Sequence, residues 1–256
     1  MTEPSPQFAG FTPAAIQFLA DLAEHNDRAW FGPRKAEYEH LLREPLERLC
    51  VALAEELTAR DLPLLADPRR SPFRISRDTR FSRDKAPYKT NLAASFPWLG
   101  GGPGPAGRGG PEVAGTGGAA AAGGAPLGAE ERHGVGGYLS IRPGEMYLGG
   151  GMYRPPRPRI EAFRRALVAD PDGVMATLAD PGFVSWFGSV HSDEALKRVP
   201  PGYPADHPNA DLLRWKDVIF MRRLSDDEVF SPRLPALMAE GFGAAAPVLR
   251  FLAGLA

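Results

Sequence analysis

The stretch RISRDTRFSRDKAPYKT, residues 74–90, brings together Arg74, Arg77, Arg80, Arg83, Lys85 and Lys89, with Asp78 and Asp84 as the only acids among them. Guanidinium groups offer planar forks of N–H donors that match phosphate or carboxylate oxygens in pairs, and an ammonium adds a compact positive charge. The chemistry open to this set is capture of an anion. On that reading Arg80 and Lys85 make the direct contacts and Arg77 and Arg83 orient or face a phosphate. Asp78 and Asp84 then hold the arginines from behind. The competing reading weighs as much: an ion-pair web in which the aspartates neutralise arginines that tie the loop to a sheet. Ser82, beside Arg83 and Lys85, could act as a nucleophile, but a local hydrogen bond to the loop backbone is its commoner role.

The spacing says what must hold these groups. Ser76-Arg77-Asp78 recurs as Ser82-Arg83-Asp84, and Arg74, Arg77, Arg80 and Arg83 lie three apart. Three-residue steps eclipse only on a 3₁₀ helix, drift on an α-helix and alternate faces on a strand, so no regular element aligns all four. A short strand running into a long loop fits better. Pro87 supports the loop, since it biases Ala86 away from helical angles.

The rest of the chain makes this charge notable. It has 256 residues, 43% of them hydrophobic and 24% charged, with a formal net charge of −1. That is an ordinary globular composition, with no chain-wide pull towards nucleic acid or membrane, so any anion binding must be local. The single cysteine, Cys50 in LERLCVALAEEL, excludes an internal disulfide framework and reads as a packed thiol. No basic start followed by an apolar run opens the chain, and no stretch approaches the ~20 apolar residues that a membrane span needs. The expectation is a cytoplasmic protein that does not enter a membrane.

Phe11-Thr12-Pro13 starts a helix expected to run to about Glu24, with Ile16, Leu19, Leu22 and Ala23 on one face. A stronger helical period follows in Tyr38, Leu41, Leu42, Leu46, Leu49, Leu53 and Leu57, where Pro45 predicts a break or kink near Arg43-Glu44 and a restart at Pro45. NLAASFPWLG reads as a strand, and GYLSIRPGEMYLGGG as a hairpin about Pro143-Gly144. A two-residue loop there pairs Arg142 with Glu145, Ile141 with Met146, Ser140 with Tyr147 and Leu139 with Leu148. Leu139, Ile141, Met146 and Leu148 then share a buried face. Tyr138, Ser140, Arg142 and Tyr147 share the other, a polar and aromatic floor for a site. Pro-Gly suits tight hairpins less well than the primed turns do. RWKDVIFMRRL reads as a further strand. Ser225 to Glu228 resembles a capping box, and Ser231-Pro232 opens a last helix. Residues 100–128, nearly all Gly, Ala and Pro, read as a disordered insertion, and the G-x-G-x-x-G at 102–107 within it is spoiled by two prolines. The three glycines Gly149 to Gly151 permit close approach of a ligand or of a neighbouring strand. Helices at both ends around hairpin-linked strands predict an α+β fold: a mostly antiparallel sheet packed by N- and C-terminal helices, one domain over 8–256 interrupted by the insertion.

The segment FRISRDTRFSRDKAPYKT, taken with FLADLAEHNDRAWFGPRKAEYEHLLREPLERL, GGGMYRP and VPPGYPADHP, closely resembles a family of conserved hypothetical proteins catalogued as domain of unknown function 2461. The resemblance covers nearly the whole chain apart from the insertion. It implies no activity or cofactor. Its motif positions here are Arg74, Arg77, Asp78, Arg80, Phe81, Ser82, Asp84, Lys85, Pro87, Tyr88 and Lys89.

Other chemistry is weaker. His25, His40, His133, His191 and His207 show no metal-ligand spacing. His191 with Asp193 and Glu194, and Asp206-His207, could form an oriented base but read better as surface or capping groups. Trp30-Phe31 reads as core. No reaction, cofactor or oligomeric state follows from the sequence. The favoured reading is a pocket for a small anionic ligand, lined by Arg74, Arg77, Arg80, Arg83, Lys85, Tyr88 and Lys89 over Tyr138, Arg142 and Tyr147. A nucleic-acid-binding module is less favoured because the chain is nearly neutral. A structural or partner-binding domain, with the motif as an internal staple, is the third reading; it predicts that Arg80→Ala chiefly lowers the melting temperature.

Overall fold

The computed structural model describes residues 7–78, 80, 84–100 and 134–255. Phe81, Ser82, Arg83, His133 and all of the expected 100–128 insertion but Gly100 lie outside them. Helix α1, Pro13–Glu24, starts where Thr12 accepts a hydrogen bond from the Ala15 amide, with Pro13 in the first turn. Its buried residues, Ala15, Phe18, Leu19 and Leu22, include two of the four predicted for the apolar face. Short helices α2, Arg28–Phe31, and α3, Lys35–Tyr38, follow, then a π-helical turn over Glu39–Arg43 and helix α4, Glu44–Ala59.

The predicted interruption near Arg43-Glu44 takes the form of that π turn, and regular α-helix restarts at Glu44 with Pro45 in its first turn. The Glu44 amide donates to the Glu39 carbonyl, a five-residue step. Such a wide turn accommodates a proline that lacks an amide proton and would clash with the carbonyl four residues back. The helical path therefore continues through Pro45 into a run of buried Leu46, Leu49, Cys50, Leu53 and Leu57.

Strands β1, Leu92–Pro97, β2, Val135–Arg142, β3, Glu145–Met152, and β4, Val218–Arg223, form an antiparallel sheet in the order β1-β2-β3-β4. The hairpin pairs all four predicted couples. Gly144 supplies the positive φ of 72° that the third position of a Pro-Gly turn needs. Between β3 and β4 come helices α5, Arg157–Ala169, α6, Pro171–Leu178, α7, Pro181–Phe187, and α8, Ala210–Leu213. After β4, α9, Asp226–Phe230, opens with the predicted capping box, and α10, Leu234–Gly254, closes the fold.

One face of the sheet, carrying Leu139, Ile141, Met146 and Leu148, is buried. α10 packs on β2 and β3 and contacts α4 and α7 on its other sides. At 21 residues, with mean hydropathy 1.3 over its most apolar window, α10 does reach the length and composition of a membrane span, which corrects the sequence expectation. Here that apolar character is spent on Leu234, Met238, Phe242, Ala245, Leu249 and Leu252, all fully buried in the core.

The opposite face is less open than expected. Tyr138 and Ser140 are buried, because residues 71–73 run alongside β1 and lay Phe73 against Tyr138, with ring centroids 6.3 Å apart. The Phe73 amide donates to Ala93 O and the Ser95 amide to Ser71 O, so this segment extends the sheet beyond β1.

Candidate functional site

The cationic stretch folds as a narrow arm. The Lys89 amide donates to Ile75 O and the Arg77 amide to Pro87 O, so the outgoing and returning chains pair across the tip. Its base is fixed by neutral groups. Asn26, 62 residues upstream, donates from Nδ2 to Tyr88 O and accepts the Tyr88 amide on Oδ1, both at 3.0 Å. A side-chain amide here imitates one rung of a sheet. Phe31 stacks on the Tyr88 ring at 4.2 Å, so Tyr88 is an anchor and not an open contact.

The two aspartates do the same work twice. Asp78 accepts the Arg80 amide at 3.1 Å and holds the Arg80 guanidinium through Nε and Nη2, the latter at 2.7 Å. Asp84 accepts the Ala86 amide at 2.9 Å and the Arg77 Nη1 at 2.5 Å. Each accepts the amide two residues on, closing a local backbone turn, and aims one arginine, which accounts for an aspartate recurring six residues apart. The Arg80 guanidinium, then its backbone amide, pulls the Asp78 carboxyl down to about 2. Arg77, then the Ala86 amide, lowers that of Asp84. Asp78 in turn raises Arg80.

These pairs are not buried. The Arg80 side chain is 69% exposed and the Asp84 side chain 63%. Exposed pairs orient side chains but add little stability. The staple is instead Asn26, Phe31 and the packing of Tyr88.

Of the remaining predicted residues, Lys89 places its Nζ 5.2 Å from the centre of the Phe73 ring, which also lies beside Tyr138. Arg74 contributes to the field that lowers Asp78. Arg142 donates from Nη1 to Glu145 Oε2 at 2.9 Å, across the hairpin turn. Tyr147 sits on β3, paired with Ser140 on one side and Arg223 on the other, two strands from β1. The structure therefore gathers the arm, Phe73 and Tyr138, and leaves Tyr147 apart.

Sequence reasoning missed Asn26, Phe31, Phe73, Asn91 and Ser95. Asn91 Nδ2 donates to Ser140 Oγ at 3.0 Å, the Tyr138 hydroxyl lies against the Ser140 and Asn91 side chains, and Ser95 Oγ is buried with no hydrogen-bond partner among the described residues. Burial pushes the Tyr138 hydroxyl pKa up, and neighbouring Ser140 and Asn91 only partly offset this.

A family model described as a conserved hypothetical protein (DUF2461) matches residues 14–251. The chain belongs to this family. No curated protein and no solved structure matches it significantly. The DUF2461 match takes in the arm and also the Asn26-Phe31 anchor and the sheet, so arm and support are parts of one family unit.

The other candidates are accounted for locally. Nδ1 of His207 accepts the Asn209 amide at 3.0 Å, a capping role. Asp217, almost fully buried, accepts Ser192 Oγ at 2.5 Å and the Asp193 amide at 3.0 Å, which ties the loop before α8 to β4; burial raises its carboxyl. Arg164, also buried, donates to the carbonyls of Leu213 and Trp215. Among the described residues no group of three or more His, Cys, Asp or Glu is arranged to hold a metal ion.

Proposed function

We propose that this DUF2461 protein binds a small ligand bearing phosphate or carboxylate at the 74–89 arm, with Arg77 and Arg80 as its oriented donors. One observation carries the reading: both arginines are aimed by a carboxylate, yet the pairs are exposed and the arm is anchored by neutral groups elsewhere. Among the described residues, a guanidinium held through Nε and one Nη2 proton keeps three N–H donors for a guest. Six cations against two acids leave the stretch strongly positive, in a chain whose formal net charge is −1. The staple reading loses its main support, because its predicted stability loss needs burial that these pairs lack.

Thermal shift with pyrophosphate, citrate, nucleotides and a short single-stranded oligonucleotide tests this. A small anion should raise the melting temperature of the wild type and not that of Arg80→Ala. If no probe stabilises the wild type more than the variant, the reading falls; stabilisation by the oligonucleotide alone moves the site to nucleic acid.

A further inference from the structure

The outer edge of β4 is covered by a surface strap, residues 191–196. His191 and Ile219 exchange backbone hydrogen bonds of 2.7 and 2.9 Å, the Leu196 amide donates to Arg214 O at 2.7 Å, and the Lys216 amide donates to Glu194 O at 3.0 Å. A side-chain knot fastens the strap beside these pairs. Asp217, only 1% exposed at the foot of β4, accepts the Asp193 amide on Oδ1 at 3.0 Å, and the Asp217 amide donates to Ser192 Oγ at 3.3 Å.

The protons available in this knot decide how it holds. Ser192 Oγ lies 2.5 Å from Asp217 Oδ1 and 2.6 Å from the Glu194 carbonyl oxygen. Oxygens that close repel unless a proton lies between them, so the two contacts call for two protons. A serine hydroxyl supplies one proton and two lone pairs. With Asp217 ionised, Ser192 donates to it, and the Glu194 oxygen faces Ser192 Oγ with no proton between. With Asp217 protonated, its carboxyl donates to Ser192 Oγ, which passes its own proton to Glu194 O and still takes the Asp217 amide. Every contact is then made. We infer that Asp217, Ser192 and Glu194 form a proton-dependent latch on the strap, closed when Asp217 carries a proton and loosened when it does not.

The surroundings favour the proton. Burial pushes the Asp217 carboxyl up, the Ser192 and Asp193 hydrogen bonds pull it back, and the Asp193 and Glu194 carboxylates push it up again. The cations nearby lie on Glu194: Lys216 Nζ is 2.9 Å from its Oε2 and Arg154 Nη2 is 3.7 Å from its Oε1. His191 Nε2 is 3.9 Å from Asp193 Oδ1. Because the folded value lies above the ordinary 3.8, the latch is whole below pH 3.8 and weakens as pH rises through the folded value. Loosening bares the edge of β4 at Ile219, whose backbone groups can then pair with another strand.

Two measurements on the whole protein test the latch. In carboxyl NMR, Asp217 should titrate above 3.8. Hydrogen exchange at the Leu196 and Ile219 amides, corrected for the intrinsic rate at each pH, should lose protection over the same interval by up to about tenfold per pH unit, while the amides of β2 hold. Asp217→Asn, which cannot ionise, should show no such fall. A carboxyl that titrates at or below 3.8, strap protection that does not change with pH, or the same fall in Asp217→Asn overturns the inference. The wild-type titration decides it alone if the variant does not fold.

Discussion

Replacing Asn26 by alanine removes both hydrogen bonds that hold Tyr88, each 3.0 Å long and partly buried. Each bond contributes roughly 0.5–1.5 kcal/mol net, and stranding the half-buried Tyr88 amide and carbonyl adds to the loss, so Asn26→Ala should cost about 2–3 kcal/mol. For a chain of this size, 1 kcal/mol moves the melting temperature by roughly 2–4 °C, which gives a drop of about 4–12 °C. Asn26→Asp keeps the acceptor for the Tyr88 amide but loses the donor, and should fall between. Arg80→Ala, which breaks an exposed pair, should leave the melting temperature close to that of wild type. Differential scanning fluorimetry ranks the three variants, and hydrogen exchange at the Tyr88 amide shows whether the arm has opened locally. If Asn26→Ala melts like wild type, or Arg80→Ala melts lower than Asn26→Ala, the division between a neutral anchor and an ionic working end is wrong.

Other predictions test single links. Burial pushes the Cys50 thiol up to about 12, so the native protein should resist a thiol reagent at pH 8 and react once unfolded in urea. Tyr38 is raised to about 12 by the same cause. For both groups the folded value exceeds the unfolded one, so their contribution to stability is intact below pH 9 and is lost as pH climbs towards 12; a series of urea melts over that range reads it. Asp78 behaves in the opposite sense. Its lowered carboxyl favours the folded state above its ordinary value of 3.8, and that contribution disappears as pH falls towards 2, which a carboxyl titration by NMR follows directly. A Cβ at Gly137 would meet two ring atoms of buried Phe242 at 2.5 Å, so Gly137→Ala should cost roughly 1–3 kcal/mol in urea unfolding.

The hairpin was legible because a period of two and a two-residue loop permit only one register that buries Leu139, Ile141, Met146 and Leu148 together. The arm was legible as a loop, since no element aligns arginines three apart. What escaped was everything set by long-range pairing. Asn26 reads locally as a turn residue before a short helix, and nothing in HNDRAWFGP points to a partner 62 positions away. Phe73 looks like the start of a strand, and only the pairing of residues 71–73 with β1 lays it on Tyr138 and closes the floor that the sequence left open. Gly136 has no visible link to the Gly149–Gly151 run until the register sets it opposite Gly151. Pro45 marked the interruption of the regular α-helix and its restart, but the form of that interruption, a π turn at Glu39–Arg43 that keeps the chain helical, cannot be read from a proline alone.

The most direct test of the central claim is calorimetric titration of pyrophosphate into wild type, Arg77→Ala and Arg80→Ala at two salt concentrations. The account predicts binding to wild type that weakens with salt, and at least tenfold weaker binding to each variant at unchanged melting temperature. Equal affinity in all three proteins, or no binding heat from wild type at the lower salt, would contradict it.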